Sequence, residues 1–425
     1  MKVFFPGTRL AQVLLAGTLA VACMESARAG PDGLSGRLIV GYQGWFGCPG
    51  DDGSNNLWQH WFDGPPGPRT WTVDLLPSLK AFNARELCDT GLKHRDGSPV
   101  YLFSSQNPAI VDRHFTSMRT HGIDGVAFQR FISHTKQADL RRRSDNVLSH
   151  VRSSAERAGR VFYISYDISG ADAATVIEDI RADWTYVTRR LKITASPAYL
   201  TQAGKPVLQL WGFGFKDRPG NDAEARRLVD DLKTGSAGLT GSTVVGGVPS
   251  GWRTLSGDSR SEAGWASFYR SYDVISPWAV GRFKDEDGAD RFRKLSIEPD
   301  LAETRRLGVG YMPVVFPGFS WRNLMATRGE QGKAIFNQIP RRCGEFLWRQ
   351  VVNATQAGVT TIYAAMFDEV DEGTALFELE GRPGKTLVGT DLVALQQDGC
   401  RVAEDGYLTL TGKAAALLRG PPPGK

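Results

Sequence analysis

Short runs of β-branched and aromatic residues alternate along this chain with longer amphipathic stretches of helical length, and this alternation limits the possible folds more than any other feature. Nearly continuous apolar strands that alternate with helices are typical of a parallel sheet covered by helices. Eight such units predict closure of the sheet into a (β/α)8 TIM barrel with extended βα loops. The predicted strands are Leu38–Tyr42, Ile123–Phe128, Val161–Asp167, Pro206–Trp211, Thr243–Val248, Tyr272–Ser276, Tyr311–Phe316 and Thr361–Phe367, and the helical stretches include Asp139–Ala158, Asp172–Leu191, Asp222–Leu232 and Arg341–Ala357.

Glycine residues precede several of these strands and support the alternation. A glycine just past a helix supplies the left-handed cap that is needed before the next strand. These glycines are Gly122, Gly159, Gly204, Gly308 and Gly358. The alternative is an open doubly wound sheet, but no Gly-rich dinucleotide-binding fingerprint follows the first strand. An additional strand candidate, Val100–Ser104, is expected in an insertion between the first and second units.

The first 29 residues have the features of an export signal and are not expected to belong to the fold. Lys2 and Arg9 give a basic start, Leu10–Ala22 is apolar, and Ala27-Arg28-Ala29 predicts cleavage before Gly30. The apolar run is too short for a membrane anchor, which needs about 20 residues. We therefore predict a secreted or periplasmic protein with no membrane span, made of a signal peptide (1–29), one barrel domain (30–420) and a Pro-rich tail (421–425).

A lipoprotein anchored through Cys23 is the alternative to a cleaved, free protein. Cys23 follows Ala22 in a lipobox-like position. The motif usually has a larger aliphatic residue where this chain has Ala20, which favours the free protein.

The charge balance argues against a nucleic-acid partner. The chain has 51 Lys and Arg against 46 Asp and Glu. Its one arginine run, Arg141-Arg142-Arg143, is isolated and is expected to be a solvated helix start, whereas nucleic acids require a broad basic face. We expect a monomer.

Four cysteines remain after the predicted cleavage, and they indicate disulfides more than a metal site. No Cys-x-x-Cys or His spacing resembles a zinc site, and we predict no metal or cofactor. Four cysteines permit three pairings. The most local one joins Cys48 to Cys88 and Cys343 to Cys400, and buried free thiols are the alternative.

Tryptophan residues are concentrated just after the predicted strands, where the βα loops of a barrel converge and build its functional site. Flat aromatic rings with polar donors suit the C–H faces and hydroxyls of sugars. The alternative is that bulky aromatics only cover the open end of the barrel. Trp211, Trp252, Trp278 and Trp321 are the expected sugar-binding residues from strands four to seven, and Asp167 at the end of strand three is a further candidate.

An acidic loop, Phe367-Asp368-Glu369-Val370-Asp371-Glu372-Gly373-Thr374, follows the eighth predicted strand. Glycoside cleavage needs one carboxylic acid and one carboxylate, and their proximity separates the two pKa values. Glu369 and Glu372 lie three residues apart across a turn that can bring both into one cavity. A Ca²⁺ site built from Asp368, Asp371 and Glu372 and a merely solvated turn are the alternatives, although the spacing lacks an EF-hand pattern.

Three stretches together resemble one group of glycoside hydrolases. Gly41-Tyr42-Gln43-Gly44-Trp45-Phe46-Gly47 with Trp58-Gln59-His60-Trp61 resembles the first-strand signature of the family 99 endo-α-mannosidases, and is similar to the family 71 α-1,3-glucanases and bacterial relatives of both. The acidic loop resembles the group's Phe-Asn-Glu-Trp-His-Glu-Gly-Thr. Tyr407–Gly412 resembles the start of its last helix.

The resemblance implies a (β/α)8 barrel that acts on an oligo- or polysaccharide with α linkages and net retention. It implies that Glu369 assists attack by the sugar's own 2-hydroxyl, through an epoxide-like intermediate, and that Glu372 is the general acid/base. It places Tyr42, Trp45, His60 and Trp61 on positions that line the sugar subsites.

The chain departs from the motif at Asp368, Val370, Asp371 and Ala375, where the family has Asn, Trp, His and Gln. The added negative charge is expected to raise the pKa of neighbouring carboxyls. Asp368 and Asp371 are therefore the residues expected to alter specificity. The main alternatives to a hydrolase are a glycan-binding barrel that has lost catalysis and a Ca²⁺-dependent adhesion or scaffold domain.

Overall fold

The structure is a computed structural model that describes Met1 and residues 32–381, 387 and 389–420. Residues 2–29 of the predicted signal peptide, with Cys23, lie outside the described residues, as does the predicted tail at 421–425. Within the described residues, no helix combines the length and the apolar character needed to cross a bilayer.

The described strands and helices alternate as predicted. The strands are β1 Leu38–Tyr42, β2 Leu87–Lys93, β3 Pro99–Phe103, β4 Gly125–Phe131, β5 Val161–Asp167, β6 Thr201–Gln202, β7 Lys205–Trp211, β8 Thr243–Val248, β9 Val274–Pro277, β10 Gly310–Tyr311, β11 Val314–Val315 and β12 Ile362–Ala364. The helices are α1 Pro108–His121, α2 Ala138–Ala158, α3 Val176–Thr185, α4 Asp222–Thr234, α5 Ala263–Tyr269, α6 Glu286–Phe292, α7 Glu298–Leu307, α8 Arg322–Thr327, α9 Glu345–Gln356 and α10 Gly406–Arg419.

The main sheet is parallel and curled. Its strand order is β10-β9-β8-β7-β5-β4-β1-β12-β11, and only the short β6, beside β7, is antiparallel. The two ends of this order, β10 and β11, are successive pieces of the predicted seventh strand, interrupted at Met312 and Pro313. Tyr311 pairs with Ile275 of β9, and Val314 pairs with Tyr363 of β12. This arrangement is consistent with the predicted TIM barrel.

Three observed elements differ locally from the predicted ones. The helix predicted from Arg341 begins at Glu345, because Arg342 and Cys343 adopt positive φ angles of 46° and 60°. The π-helical turn Tyr186–Arg190 continues α3. Strand eight is shorter than predicted and ends at Ala364.

The predicted glycine positions are confirmed at the helix ends with one exception. Gly122, Gly159 and Gly308 are left-handed caps of α1, α2 and α7, and Gly358 lies two residues past the end of α9 at φ +89°. Gly204 was wrongly interpreted as a helix end: it lies in the tight turn between β6 and β7, at φ +73°.

Two further sequence features have clear outcomes. The extra strand candidate forms β3, which pairs with β2 as an antiparallel hairpin in the first insertion. The arginine run lies at the start of α2, as expected, but the prediction that it is solvated is wrong for Arg143, which is only 6% exposed.

Both local disulfides are formed, Cys48–Cys88 and Cys343–Cys400. The first joins the loop after β1 to the start of the β2–β3 hairpin. The second joins the segment before α9 to the segment before α10. The free-thiol alternative is therefore wrong, and both bridges fasten long connections that surround the sheet.

Candidate active site

A cavity of about 560 Å³ opens among the loops that follow the parallel strands. Residues at the ends of β1, β4 and β5 meet there with the acidic loop that follows β12. Its lining residues are Gln43, Trp45, Gln129, Phe131, Ser165, Asp167, Ser169, Trp211, Arg218, Trp278, Val280, Gly281, Arg282, Phe319, Trp321, Arg328, Gln338, Tyr363, Glu369 and Glu372.

The acidic loop folds back on itself and thereby places two carboxyl groups in this cavity. The backbone N–H of Phe367 donates to the carbonyl of Gly41, at 2.7 Å, and the N–H of Thr374 donates to the carbonyl of Glu369, at 3.1 Å. Gly373 is required in this turn because its φ is +66° and an added Cβ would lie 2.7 Å from the backbone nitrogen of Ser320. The turn brings both Glu369 and Glu372 to the cavity wall.

Glu369 is 6% exposed, and both of its carboxyl oxygens accept hydrogen bonds. The side-chain amide of Gln43 donates to Oε1 at 2.8 Å, and the hydroxyl of Thr374 donates to Oε2 at 2.6 Å. Burial raises the pKa of Glu369 well above its usual range, and repulsion from Glu372 and Asp371 raises it further. The two donors oppose this shift and fix the direction of the carboxyl group.

Glu372 is the second carboxyl group of the pair. Burial raises its pKa to about 7, with further repulsion from Asp371 and Asp167, while Arg328 and Arg218 lower it. The backbone carbonyl of Glu372 accepts from the N–H of Ser320, at 2.9 Å, which joins the acidic loop to the loop of strand seven. A carboxyl group with a pKa near neutrality is suited to deliver a proton.

Asp167 provides a third carboxyl group at the end of β5. Its Oδ2 accepts from the amide of Gln129 at 2.6 Å, and its Oδ1 accepts from the backbone N–H of Ser169 at 2.7 Å. Burial raises the pKa of Asp167 in spite of these bonds. Its oxygens are held by the protein, so Asp167 contributes an acceptor of fixed orientation to the cavity.

The two remaining carboxylates of the loop point elsewhere, so neither lines the main cavity as predicted. Asp368 is fully buried and accepts from the backbone N–H groups of Gln43 and Gly44, both at 2.8 Å. Burial raises its pKa to about 7. Its role is to attach the first-strand loop, and with it Gln43, to the acidic loop.

Asp371 faces the first-strand insertion. Its Oδ2 lies 3.7 Å from Nδ1 of His60, and the residue is only 2% exposed. The described residues contain no group of three His, Cys, Asp or Glu side chains arranged to hold a metal ion. The alternative Ca²⁺ site therefore has no counterpart in this part of the chain.

Four of the predicted tryptophans, Trp45, Trp211, Trp278 and Trp321, line the cavity. The indole N–H groups of Trp45, Trp211 and Trp321 are buried and have no hydrogen-bond partner in the protein. A buried donor without a partner costs about 1–3 kcal/mol, so these three groups are expected to be satisfied by a bound molecule or water.

His60 lies at the edge of the site and not in the main cavity. Its ring stacks on Trp45 with centroids 4.0 Å apart and planes at 8°, and Phe131 covers Trp45 with centroids 5.6 Å apart. His60 and Trp45 also line a smaller neighbouring pocket. The stack fixes the plane of the Trp45 indole at the cavity wall.

Three predicted sugar-binding residues are corrected by the structure, because all three are completely buried away from the cavity. The hydroxyl of Tyr42 bonds to Nδ1 of His114 at 2.9 Å. The indole of Trp61 donates to the carbonyl of Phe103, and that of Trp252 donates to Asp300, each at 2.9 Å. Their donors are satisfied inside the protein, which makes them core residues.

Several cavity residues were not selected as site residues from the sequence: Gln43, Gln129, Arg218, Arg282, Arg328, Gln338 and Tyr363. Gln43 directly follows β1 and Gln129 lies near the end of β4, so their position at strand ends was the signal available. The three arginines and Gln338 lie in long loops with no recognisable motif. Tyr363 lies inside β12, where an aromatic residue is indistinguishable from core.

Solved structures of a known enzyme have the same fold as this chain. A family 99 endo-α-mannosidase from Bacteroides thetaiotaomicron, in complex with bis-tris-propane, is similar with a TM-score of 0.64 and 15% identity, over 91% of this chain and 98% of that chain. A second structure of a family 99 endo-α-mannosidase from this organism gives a TM-score of 0.63 and 14% identity over the same shares. The chain has the fold of these endo-α-mannosidases.

The resemblance to family 99 that the motifs indicated is thus confirmed at the level of the fold. No protein-family model and no curated protein matches the sequence. The similarity in fold covers 91% of this chain.

Proposed function

We propose that this protein is an exported glycoside hydrolase that cleaves α-linked glycans with net retention. The observation that carries the proposal is the pair Glu369, which is buried, and Glu372, which is half-buried, two carboxyl groups on one loop that reach the same cavity with raised pKa values. Glycosidic bond cleavage needs one carboxylic acid and one carboxylate in the same cavity, and repulsion between two neighbouring carboxyl groups favours this singly protonated pair. The tryptophans with unpartnered indole donors support a sugar as the ligand.

The family resemblance suggests how the pair divides the work. On a sugar whose 2-hydroxyl is trans to the leaving oxygen, Glu369 takes the proton of that hydroxyl while its oxygen bonds to C1, and Glu372 gives its proton to the leaving oxygen as the C1–O bond breaks. Water then attacks C1 and gives a proton to Glu372, while the 2-oxygen leaves C1 and recovers its proton from Glu369. Two inversions at C1 give net retention. Gln43 and Thr374 are positioning residues, since both hold the Glu369 carboxyl.

The departures from the family motif leave this pair intact. Asp368 and Asp371 are turned away from the cavity, towards the first-strand loop and His60. Val370 is fully buried. These contacts favour an active hydrolase over the alternative of a glycan-binding barrel that has lost catalysis.

Export is part of the proposal and is supported by the N-terminal sequence pattern and by the two disulfides. Structural disulfides persist in oxidising compartments such as the periplasm or the cell exterior. We propose a free secreted or periplasmic protein over one anchored through Cys23.

The proposed function is tested by a substrate screen with stereochemistry. The protein from Gly30 onwards is incubated with α-mannan, α-1,3-glucan and pentose-containing α-glycans, and the first-formed anomer is followed by proton NMR. Release of sugar as the α-anomer is expected. Release of the β-anomer would refute retention, and glycan affinity without any release would support the binding barrel.

The raised pKa values predict a pH dependence of both activity and stability. Glu372 must be protonated to act as an acid, so kcat/KM is expected to fall about tenfold per pH unit above about pH 7. The folded Glu372 binds its proton more tightly than the unfolded one. Its contribution to stability is therefore fully present below about pH 4.5 and is lost as the pH rises to about 7.

Thermal unfolding between pH 4.5 and 7 checks the sign. The Tm of Glu372→Gln is expected to fall less steeply with rising pH than that of the wild type. Asp368, whose pKa is also raised to about 7, retains part of the slope. Identical slopes in the two proteins would contradict the assignment.

Tryptophan variants separate the cavity from the core. Trp211→Phe removes an indole donor that has no partner in the protein, so we expect weaker glycan binding and little change in Tm. Trp252→Phe removes a donor to buried Asp300 and is expected to lower the free energy of unfolding by about 1–3 kcal/mol, with glycan affinity unchanged. Calorimetry and thermal unfolding measure the two effects, and an exchange of the two phenotypes would refute the division.

A further inference from the structure

The cavity is lined by three arginines that the proposed chemistry does not use as acid or base: Arg218, Arg282 and Arg328. Arg282 is neutralised, because its Nε and Nη2 donate to Oδ2 of Asp258 at 3.0 and 2.6 Å. The described residues provide no ion-pair partner for Arg328. Arg218 and Arg328 lower the pKa of Glu372, so both cations face a carboxyl group that keeps its proton up to about pH 7.

Arg218 is the most informative of the three. Its Nη1 donates to Asp217 at 2.6 Å, but that carboxylate is 73% exposed and screened by solvent. Its guanidinium carbon lies 5.4 Å from the ring centre of Trp211, and its Nε is buried with no hydrogen-bond partner. Arg218 is thus held against the aromatic wall with one donor free for a bound group.

The balance of donors and acceptors points in the same direction. Among the buried cavity atoms without a partner in the protein, the Nε of Arg218 and the three indole N–H groups are donors, and Oε1 of Gln43 is an acceptor. The carboxyl oxygens of Asp167 and Glu369 already accept bonds from the protein. A cavity in which free donors predominate favours a ligand group that only accepts, such as a carboxylate or a sulfate.

The positive character continues beyond the cavity. A second basin of about 520 Å³ adjoins it and shares Gly281, Arg282 and Gln338 with it. Lys284 and Arg291 line this basin together with Asp285, whose Oδ1 accepts from the backbone N–H of Gly288 at 2.7 Å, and neither cation has an ion-pair partner among the described residues. A chain that leaves the cavity across Arg282 therefore meets two further cations.

We propose that the substrate is an acidic α-glycan whose carboxylate or sulfate groups bind at Arg218 and Arg328, with further acidic residues of the same glycan at Lys284 and Arg291. This inference rests on the proposed glycan-processing function and names its substrate class. Arginine forks match the geometry of both anionic groups.

Binding to matched glycan pairs tests the inference. The inactive variant Glu372→Gln is titrated by calorimetry with α-linked galacturonan and with the same polymer after its carboxylates are reduced to hydroxymethyl groups. A second arm compares a sulfated α-glycan with its desulfated form, which distinguishes carboxylate from sulfate. At least about tenfold tighter binding of the acidic member is expected in one arm at about 50 mM NaCl, with the difference shrinking at about 500 mM.

Arginine variants then locate the contact. Arg218→Gln and Arg328→Gln, each made in the Glu372→Gln background, are expected to weaken binding of the acidic member about tenfold and of the neutral member less than about threefold. The matched control is Arg306→Gln, an exposed arginine of α7 outside both cavities, whose side chain is 67% exposed. It is expected to leave both affinities unchanged.

The outcomes separate this inference from the proposed function. No binding of any acidic glycan, equal binding within both pairs, or equal losses on acidic and neutral members would overturn the acidic substrate. Cleavage of neutral glycans without acidic preference would leave the hydrolase intact and remove this inference. Acid-selective binding with no cleavage of any glycan by the wild type would keep the acidic preference and refute the hydrolase.

Discussion

Replacing Glu372 with Gln is expected to lower kcat on a natural α-glycan by about 10²–10⁴-fold, because the leaving sugar then departs without a proton. Glu369→Gln is expected to lose at least as much, since glutamine cannot take the proton of the 2-hydroxyl. Both substitutions preserve the shape of the side chain, and both remove a carboxyl group whose pKa is raised. Glycan binding, measured by calorimetry, is expected to survive.

The leaving group distinguishes the two roles. A glycosyl fluoride or an aryl glycoside of an acidic phenol leaves without protonation, so Glu372→Gln is expected to regain most of the rate of bond cleavage on such a substrate. Glu369→Gln is expected to remain inactive on both, because attack on C1 is still unassisted.

A matched control is available further along the same segment. Glu378 accepts a hydrogen bond from the hydroxyl of Ser117 at 2.6 Å and does not line the cavity. Glu378→Gln is expected to retain wild-type kcat. Full activity in Glu369→Gln or Glu372→Gln would refute the catalytic assignment, and equal recovery of both variants on activated substrates would refute the division of roles.

Replacing Arg130 with Met is expected to lower the free energy of unfolding by about 3–5 kcal/mol. Arg130 lies at the end of β4 and is only 1% exposed. Its Nε and Nη2 donate to Asp183 at 2.6 and 2.7 Å, and its Nη1 lies 2.8 Å from Asp145. The hydroxyl of Tyr166 also donates to Asp183, at 2.7 Å. Without the guanidinium, Asp183 would be a buried carboxylate with no cation.

Two comparisons isolate the cause of that loss. The double variant Arg130→Met with Asp183→Asn removes both charges and is expected to recover at least half of the lost stability. Arg142 lies in α2 and forms exposed ion pairs with Asp52 and Asp139. Arg142→Gln breaks both pairs and is expected to lower the free energy of unfolding by no more than about 1 kcal/mol. Urea unfolding measures all three, and a loss in Arg130→Met no larger than that in Arg142→Gln would refute the network's role.

The acidic loop shows how far local sequence reaches. Glu369 and Glu372 were singled out because they follow the last predicted strand and match a family motif, and both lie in the cavity. Their neighbours Asp368 and Asp371 carry the same chemical group but accept bonds from, or face, other parts of the chain. The sequence predicted that the acidic loop follows the last strand. The direction of each side chain depends on the turn of that loop, which requires glycine at position 373.

The tryptophans show the same limit. Their place after the strands was evident from the sequence, but Trp211 lines the cavity while Trp252 is buried against Asp300. The difference is decided by whether a partner for the indole donor lies within the fold. For Trp252 that partner is Asp300, 48 residues away in the chain. No local sequence pattern predicts a contact over that separation.

What the sequence alone determined is therefore the order of strands and helices and the position of the acidic loop, because periodicity and turn residues act between near neighbours. The sequence left three disulfide pairings and free thiols open, and the structure selected the local pairing. Only the tertiary structure decided which aromatic rings face the cavity, how the seventh strand divides between β9 and β12, and that Arg218 and Arg328 line the same cavity as Glu369 and Glu372. Those features depend on burial and on contacts between distant segments, which arise only when the sheet has curled and its loops have converged.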